Sequence, residues 1–583
     1  MDNRKPTSWL SVALQLGAIG GLATVLMSLV GMIEEFSQRD IIAGVIEMGQ
    51  TLLLIVLLVV GMSTARRLAG RPVAVRLGAS VVAGLVTAVF LFGLVSLFEP
   101  LNLRSIFLNA SPALAKILTF DQQGVMALVY MLGAGASQAL AGGIIQVLPP
   151  RLNRAVMQGI IWVGLLGLLQ DLLRVTLTYI PSVGKAVAWI FGARNEKGLS
   201  VIGAVFVFLL FAAFNYFRAG RQGTGGSRLA SLPPAGRRAA QAGIVALSFA
   251  LLYILPKVLG PYLSEVTNSV GLFILMGLGL NIVVGFAGLL DLGYVAFYAL
   301  GAYTVGVLTT TAVGTQAGQI VWGPQISLWP ALVAAVLVSI TAGVILGVPV
   351  LNMRGDYLAI VTLGFGEIIR ILAGSDFLKP YVGGSQGIVE VGVGQIGNII
   401  FNKPQTLYYI VVVACLLAAF ISWRLRDSRM GRTWKALRED EDVAQAMGIH
   451  LVSTKLLAFA TGAAFAGLGG AIFASKVGSI YPHSFKLLVS INVLSLIIVG
   501  GMGSLPGVFV GALALVGLPE LLREFSEYRL MIYGALLIFM MLTRPEGLWP
   551  EATRRQELHE GLGSGGEPPP EGAKVPAGAP AAR

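Results

Sequence analysis

The chain has 583 residues, of which 56% are hydrophobic, 12% are charged and 74 are glycine, with a mean hydropathy of +0.80. Soluble domains carry about 25% charged residues, so this composition excludes a soluble enzyme and predicts a membrane protein. One cysteine, Cys415, and three histidines exclude a disulfide framework, an iron–sulfur cluster or a Cys/His zinc site supplied by this chain alone. The net charge of +12 is typical of basic cytoplasmic loops, so we expect no nucleic-acid partner.

Apolar runs of about 20 residues mark helices long enough to cross a hydrocarbon core of roughly 30 Å. They predict an all-α polytopic membrane protein with sixteen crossings. The first run is too long for a signal-peptide core and lacks a cleavage site, so we expect it to remain as a helix. The predicted spans lie near residues 9–30, 41–62, 77–98, 124–148, 155–178, 198–217, 239–256, 266–284, 292–312, 328–351, 357–373, 407–423, 456–475, 487–502, 507–519 and 530–543.

The distribution of basic residues predicts the orientation in the membrane. If the N-terminus is cytoplasmic, the cytoplasmic segments hold 26 of the 41 Lys and Arg residues and the external segments hold 13. Positive charge accumulates on the cytoplasmic side of membrane proteins. This bias predicts that both termini are cytoplasmic.

Composition divides the chain into four parts. Residues 218–238 are basic and rich in Gly, Ser and Pro, which predicts a cytoplasmic linker. Residues 1–217 supply six predicted spans before it, and residues 239–550 supply ten after it. Residues 551–583 are rich in Gly, Pro, Glu and Ala, which predicts a disordered cytoplasmic tail.

The chain lacks the motifs of common catalytic sites. No segment matches GxxxxGK[ST], and the nearest one, at residues 179–186, has Tyr179 where the first glycine is required. HExxH and GxSxG are absent as well. We therefore expect a non-catalytic chain that binds no nucleotide or other cofactor of its own.

Ionisable residues within the predicted spans are few. Each costs roughly 2.5 to 3.5 kcal/mol at the centre of a membrane, so each is a candidate for function. One hypothesis is a carboxylate that couples transport to protons or sodium, as in a secondary transporter. Self-neutralised pairs three residues apart are more often structural. The residues concerned are Glu47, which we expect within a helix, and two such pairs, Asp171 with Arg174 and Glu367 with Arg370.

Glycines are concentrated in residues 277–303 and again in GGMGSLPG, Gly500 to Gly507. Glycine allows helices to pack closely or to break within the bilayer. The first stretch could line a translocation pathway or serve close packing only, and the second predicts a tight turn or a re-entrant break. The candidate pathway residues are Gly285, Gly288, Gly293 and Tyr294.

The polar segment, Arg424–Lys455, separates two predicted spans. Its apolar residues recur at intervals of three and four, which predicts one short amphipathic helix ended by Gly448, with Ser453 or Thr454 capping the next helix. Such a helix could bind a separate ATPase, and the alternative is a helix lying on anionic lipid. The candidate coupling residues are Trp434, Leu437, Arg438, Glu439, Asp440, Glu441, Asp442, Ala444, Met447 and Gly448, with Val443 on the same apolar face as Trp434.

Five motifs resemble those of LivM-type permeases of branched-chain amino acid ABC transporters. The resemblance covers about residues 240–550 and leaves residues 1–239 unmatched. The motifs occur in the order expected for the family. They are GLNIVVGFAGLLDLGYVAFYALGAYT (Gly279–Thr304), RGDYLAIVTLGFGEIIR (Arg354–Arg370), VGGSQGI (Val382–Ile388), ALREDEDVAQAMGIHLVSTKLLAFATGAAFAGLGGAIFA (Ala436–Ala474) and RPEGLWP (Arg544–Pro550).

The resemblance implies a ten-helix core of the type II ABC importer fold in the bacterial cytoplasmic membrane. It implies a LivH-type second permease, two cytoplasmic ATPases that bind ATP and Mg²⁺, and a periplasmic or lipid-anchored amino acid-binding protein. Urea and short-chain amide permeases are similar to this family, so the sequence leaves the substrate open. A membrane scaffold remains an alternative for the N-terminal half only, which we expect to pack outside the ten-helix core.

The loop after the predicted span at 357–373 is the candidate external mouth of the pathway. The charge distribution places it outside the membrane, and its glycines permit close backbone approach. An ordinary surface turn is the alternative. The residues concerned are Gly383, Gly384, Ser385 and Gln386.

Overall fold

A computed structural model describes most of the chain and divides it into two compact units, Met1–Ala250 and Leu251–Arg583. Ten helices of the described part are long and apolar enough to cross a membrane, and three shorter apolar helices accompany them. The all-α polytopic fold class is therefore confirmed. The described residues are 8–37, 40–98, 100–107, 109–178, 188–191, 198–219, 234–314, 320–350, 356–521, 534, 538, 540, 542 and 546–550.

The helices of the first unit match most of the six spans predicted for residues 1–217. The predicted linker lies largely outside the described residues, as does the predicted tail. The helices are α1 (Trp9–Leu29), α2 (Met32–Phe36), α3 (Met48–Arg67), α4 (Val73–Ser96), α5 (Pro112–Leu118), α6 (Gly124–Val147), α7 (Pro150–Leu168), α8 (Gln170–Thr178) and α9 (Val201–Ala219), with strands β1 (Asp40–Ile42) and β2 (Ile46–Glu47).

Small residues bring helices α1, α3, α4 and α6 into close contact. A Cβ atom on Gly61 would collide with the carbonyl group of Ala139, and one on Gly84 would collide with that of Gly135. Lipid tails are as apolar as the helices, so association depends on this close packing and on hydrogen bonds between helices. Thr87 supplies one such bond by donating to the carbonyl oxygen of Gly17 at 3.0 Å.

Two of the predicted spans in this unit begin or end differently from the prediction. The span expected at 41–62 begins only at Met48, because residues 40–47 form the antiparallel hairpin β1–β2, in which Glu47 pairs with Asp40. The expectation that Glu47 lies within a helix is therefore wrong. The span expected at 155–178 is interrupted at Leu169, between α7 and α8.

Asp171 and Arg174 lie on the short helix α8. Arg174 donates to the carbonyl oxygen of Gly198 at 3.4 Å, and its guanidinium carbon lies 5.6 Å from the centre of the Phe191 ring. Asp171 occupies the first turn of the helix. A negative side chain in the first turn of a helix interacts favourably with the helix dipole.

Among the described residues, the remaining helices lie in the second unit, except that the first of them, Pro234–Leu280, begins within the first unit, and the buried apolar residues of the second unit form one core between Val266 and Met540. The predicted span at 530–543 lies mostly outside the described residues. The helices are α10 (Pro234–Leu280), α11 (Val295–Thr309), α12 (Leu328–Val350), α13 (Asp356–Gly374), α14 (Lys379–Val382), α15 (Pro404–Arg426), α16 (Arg429–Glu439), α17 (Glu441–Ala446), α18 (Leu451–Val477), α19 (Leu487–Gly500), α20 (Leu505–Ala512) and α21 (Leu518–Leu521).

Helix α10 spans both of the predicted crossings at 239–256 and 266–284. Its backbone leaves the helical conformation at Gly260, which has φ 73° and ψ −178°, and Pro261 follows. Glycine adopts this backbone without the steric cost that a Cβ atom imposes, and proline removes a helical hydrogen bond. The chain therefore bends at Gly260.

Residues on both sides of this bend contact the first two turns of α15. Tyr409 donates to the carbonyl oxygen of Tyr253 at 3.0 Å, and Asn268 donates to that of Pro404 at 2.8 Å. In a straight helix, residues 253 and 268 would be about 22 Å apart, whereas residues 404 and 409 lie only about 8 Å apart along α15. The two predicted crossings thus remain separate helical segments on either side of Gly260.

Candidate functional site

The polar segment folds as two helices, α16 and α17, where the sequence predicts one. The break lies at Asp440, whose backbone is extended (φ −157°, ψ 119°). Its Oδ1 atom accepts hydrogen bonds from the backbone N–H groups of Asp442 and Val443, both at 2.9 Å. Aspartate is among the strongest N-cap residues, so it starts a second helix here.

Gly448 ends α17, as predicted. It has φ 86°, its N–H donates to the carbonyl oxygen of Gln445 at 2.9 Å, and the N–H of Ile449 donates to that of Ala444 at 3.1 Å. These two bonds form a Schellman motif. The predicted cap of the next helix is wrong, because His450 occupies that position and accepts a hydrogen bond from the N–H of Ser453 at 3.4 Å.

The break at Asp440 also divides the predicted apolar face. Trp434, Leu437 and Ala444 are buried, and the indole N–H of Trp434 donates to the carbonyl oxygen of Thr454 at 3.0 Å. Val443 and Met447, in contrast, are 58% and 79% exposed. The buried residues fix the segment to α18, and the exposed pair remains as an apolar surface.

Charged residues of the polar segment are arranged in local pairs. The Lys455 side chain is only 5% exposed and forms an ion pair with Glu441, which joins α17 to α18. Glu439 and Asp442 are exposed. At the end of α15, a hydrogen bond from Arg426 lowers the pKa of the Asp427 carboxyl below its ordinary value.

Arg438 joins the polar segment to the π-helix that follows α10. Its Nη1 atom donates to the carbonyl oxygen of Gly285 at 2.9 Å, and its Nη2 atom donates to Glu439 at 2.9 Å. Its aliphatic carbons lie against Gly288, which has φ 71° and no room for a Cβ atom. The glycine is required there both by its backbone conformation and by the close approach of Arg438.

Gly285 belongs to this π-helix, Asn281–Phe286. Such segments are rare and occur frequently at functional sites. The buried Oδ1 atom of Asn281 accepts a hydrogen bond from the N–H of Gly503 at 2.9 Å. Gly503 lies in the tight turn between α19 and α20, as GGMGSLPG predicts, and Trp549 of the RPEGLWP motif donates to the carbonyl oxygen of Gly500 at 2.9 Å.

The other candidate pathway residues pack helices together. A Cβ atom on Gly293 would collide with the carbonyl group of Thr362, and the buried hydroxyl of Tyr294 donates to the carbonyl oxygen of Gly462 at 2.9 Å. Gly285 is buried against Asn281 and Gly503. Of the four, only Gly288 lines the cavity described below. Gly285, Gly293 and Tyr294 make packing contacts, and their place in a translocation pathway stays a prediction.

Asp291 is a buried residue that the sequence analysis missed. It is the only acidic residue in the glycine-rich stretch 277–303, which is the signal that could have identified it. Its Oδ1 atom accepts from the N–H of Gly293 at 2.9 Å, and the next residue, Leu292, donates to the hydroxyl of Thr362 at 3.1 Å. Asp291 thereby fixes the loop that connects the π-helix to α11.

A cavity of about 230 Å³ lies between this loop and the polar segment. One side is apolar and the other carries charges of both signs. Its lining includes residues 287–290 of the loop, Leu358 of α13, residues 437–441 and Lys455. The size of the cavity therefore depends directly on the distance between the polar segment and the loop.

The candidate external mouth lies at the opposite end of the helices. Gly383 and Gly384 are buried with positive φ, whereas Ser385 and Gln386 are exposed on a short 3₁₀ helix. The nearby residue Ile388 exchanges backbone hydrogen bonds with Ile480 at 2.8 and 2.9 Å. The loop is thus held to the end of α18.

Glu367 and Arg370 form an ion pair on one face of α13. The separation between Arg370 Nη2 and Glu367 Oε2 is 2.7 Å, and both side chains are 34% exposed. A pair that neutralises itself needs no external ion. Among the described residues, no group of three or more His, Cys, Asp or Glu side chains is arranged to hold a metal ion.

Comparison with known proteins places the second unit in a family. The family described as "Branched-chain amino acid transport system / permease component" matches residues 262–541. LivM, the high-affinity branched-chain amino acid transport system permease protein of Salmonella typhimurium, is 38% identical over 324 residues, covering 52% of this chain and 73% of LivM. LivM of Escherichia coli is 37% identical over 324 residues, which again cover 52% of this chain and 73% of that protein.

A more distant relative is the permease protein LivH of the same kind of transport system in Escherichia coli. It is 26% identical over 309 residues, covering 49% of this chain and 95% of LivH. No solved structure matches the chain. From the extent and identity of the match to LivM, the chain belongs to the family of branched-chain amino acid transport permeases.

Proposed function

We propose that this chain is a permease subunit of an ATP-driven importer for leucine, isoleucine and valine in the bacterial cytoplasmic membrane. Its partners would be a LivH-type second permease, two cytoplasmic ATPases and an external amino acid-binding protein. The observation that supports the proposal best is the polar segment. This segment has an exposed apolar surface formed by Val443 and Met447. It also contacts the π-helix at Gly285 directly, through Arg438.

The mechanism follows from this connection. Closure of the ATPases on ATP would push α17 through Val443 and Met447. The ion pair between the buried Lys455 and the half-buried Glu441 would pass the movement to α18, and Arg438 would pass it to the π-helix at Gly285. Discrete rearrangement of packed helices converts such small shifts into alternating access.

Catalysis of ATP hydrolysis would belong entirely to the partners. ATP and Mg²⁺ would bind the ATPases, and this chain would bind no cofactor. Its contribution is a conformational equilibrium between outward-open and inward-open states. Amino acid would arrive at the mouth near Ser385 and Gln386 after its release by the binding protein, so the permease itself needs little selectivity.

The test is to place charge on the exposed apolar surface of α17. We expect the double variant Val443→Glu/Met447→Glu to insert normally but to lose binding of the ATPases, measured by copurification, because the carboxylates would have to be desolvated in the interface. Gln445→Glu is the matched control, since Gln445 is exposed on the same helix. Normal ATPase binding and uptake by the double variant would refute this role for α17.

The substrate is tested separately in vesicles that contain the complete importer. We expect ATP-dependent uptake of leucine, isoleucine and valine when the binding protein is present outside. Urea and short-chain amides are the alternative substrates. Uptake of urea without uptake of leucine would retain the importer class and refute the proposed cargo.

A further inference from the structure

The cavity between the polar segment and the loop after the π-helix is lined by apolar residues on one side and by charged residues on the other. Its volume of about 230 Å³ is large enough for several water molecules and therefore for a solute of the size of an amino acid. Leu290, Leu358 and Leu437 form an apolar side, which would accept a branched aliphatic side chain.

The charged side of the cavity matches the two charges of an amino acid. Arg438 uses one N–H on Nη1 for Gly285 and one on Nη2 for Glu439, so its Nε–H and one further hydrogen on each Nη remain for a carboxylate. A guanidinium binds a carboxylate through parallel hydrogen bonds. Glu439 and Asp440 line the same cavity and provide carboxylate oxygens for an ammonium group.

We propose that this cavity binds a free branched-chain amino acid from the cytoplasm and thereby inhibits the importer. The inference rests on the proposed function, because it identifies the imported substrate as the regulator. The bound amino acid bridges α16, through Arg438 and Leu437, to Leu290 in the loop and to Leu358 on α13. A ligand that binds one conformation more tightly than the other holds the protein in that conformation.

The consequence is feedback by the product of transport. When the cytoplasmic concentration of leucine is low, the cavity is empty and the polar segment transmits the movement of the ATPases to the π-helix. When leucine accumulates, it occupies the cavity and holds α16, the loop and α13 in one conformation, so that the movement stops. No additional regulatory domain is required for this response.

The experiment uses the complete importer in nanodiscs, where both membrane faces are accessible. ATP hydrolysis is measured with the binding protein already saturated by leucine, and leucine is then raised into the millimolar range. We expect hydrolysis to fall at least about fivefold, which is within the usual range of allosteric coupling. Isocaproate, which lacks the ammonium group, and isoamylamine, which lacks the carboxylate, should not inhibit.

Variants assign the inhibition to this cavity. Leu290→Ala removes part of the apolar side without filling the cavity, and should raise the leucine concentration for half-inhibition about tenfold while hydrolysis at low leucine is retained. Ile360→Ala is the control, because Ile360 is exposed on α13 two residues from Leu358 and should leave inhibition intact. An unchanged half-inhibitory concentration in Leu290→Ala, or no inhibition of wild type by leucine, would overturn the proposal.

A binding measurement keeps the proposal testable if Leu290→Ala fails to assemble. Equilibrium dialysis with radiolabelled leucine, in the absence of binding protein, should detect one site in the wild-type importer that isocaproate does not compete for. Binding of leucine to the isolated permease pair but not to the complete importer with its ATPases would overturn the proposal. That result would mean that an ATPase side chain occupies the cavity. Failure of the binding protein to stimulate hydrolysis at all would contradict the proposed function itself.

Discussion

Arg438 connects the polar segment to the π-helix that follows α10. Two of its contacts differ greatly in expected energy. The ion pair with the exposed Glu439 is worth less than about 1 kcal/mol, because water screens it. The hydrogen bond from its charged Nη1 to the carbonyl oxygen of Gly285 is partly buried and is worth about 1.5 to 3 kcal/mol. We therefore expect coupling to depend more on the contact with Gly285 than on the pair with Glu439.

This difference predicts the effect of Arg438→Met. Methionine retains an aliphatic chain against Gly288 but lacks the hydrogen bond, so we expect the importer to assemble and hydrolyse ATP while uptake per ATP falls about tenfold. The ratio of leucine uptake to phosphate release in vesicles measures this. Arg432→Met is the matched control, because Arg432 lies on the same helix and donates to the carbonyl oxygen of Asp427 at 3.4 Å. An unchanged ratio in Arg438→Met would exclude this route of coupling.

Residue identity predicts some roles in this site and fails for others. Gly448 was predictable as a helix terminator, since its type and position determine the cap. Asp440 was not recognised as a cap, because the charged run Arg438–Asp442 also fits the polar face of one continuous helix. Asp291 is distinctive in the sequence as the only acidic residue of its stretch, but a single carboxylate also fits an exposed turn, and only the folded chain shows that it is buried and holds Gly293.

At the scale of elements, helix α17 depends on its N-cap. It has only six residues, which is too short to be stable by propensity alone. The two hydrogen bonds accepted by Asp440 and the Schellman motif at Gly448 therefore determine whether it forms. The exposed pair Val443 and Met447 is presented to a partner only while this helix is intact.

We expect Asp440→Ala to cost about 1 kcal/mol of local stability and to accelerate amide hydrogen exchange in residues 441–447 about fivefold. Hydrogen exchange followed by mass spectrometry measures this in the purified complex. Asp440→Asn is the control, because asparagine caps helices equally well and retains the accepting oxygen. Identical exchange in Asp440→Ala and wild type would mean that α17 is held by tertiary packing and not by its cap.

The length of apolar runs predicted most of the membrane helices, because crossing a bilayer requires about 20 apolar residues irrespective of the fold. Run length gave the wrong start for a helix where a short apolar strand precedes it. Ile41, Ile42 and Ile46 extend the hydrophobic run of α3, so the hairpin β1–β2 could not be distinguished from a helical turn. The π-helix at Asn281–Phe286 was also not predictable, since glycine there permits either a break or continued close packing.

The orientation of the whole molecule is open to direct measurement with cysteine labelling. The native Cys415 is buried on α15 and donates its S–H to the carbonyl oxygen of Gly271, so it should give little background. We expect Ser385→Cys to react with an impermeant maleimide from outside intact cells, because Ser385 is exposed in the predicted external loop.

The companion variant is Gln445→Cys, on the exposed side of α17. We expect it to react only after the cells are permeabilised. Docking of the binding protein should slow the reaction of Ser385→Cys and leave that of Gln445→Cys unchanged. Labelling of Ser385→Cys only after permeabilisation would reverse the predicted orientation of both termini.

The two units of the chain have separate hydrophobic cores. Among the described residues, the buried apolar clusters of the first unit lie between Val12 and Met131, whereas the core of the second unit lies between Val266 and Met540. The family match begins at residue 262, so the first unit lies outside it. A core that is complete within its own segment is the property expected of an independently stable domain.

From these separate cores we expect deletion of residues 1–235 to leave a functional permease. The second unit retains its core, the π-helix, the polar segment and the cavity, so ATP-dependent leucine uptake should persist at a reduced level that follows the yield of assembled complex. Uptake normalised to the amount of complex in vesicles is the measurement, with the full-length chain as control. A truncated chain that binds its ATPases normally but transports nothing would require the N-terminal helices to form part of the translocation route, and would contradict the prediction that they pack outside the ten-helix core.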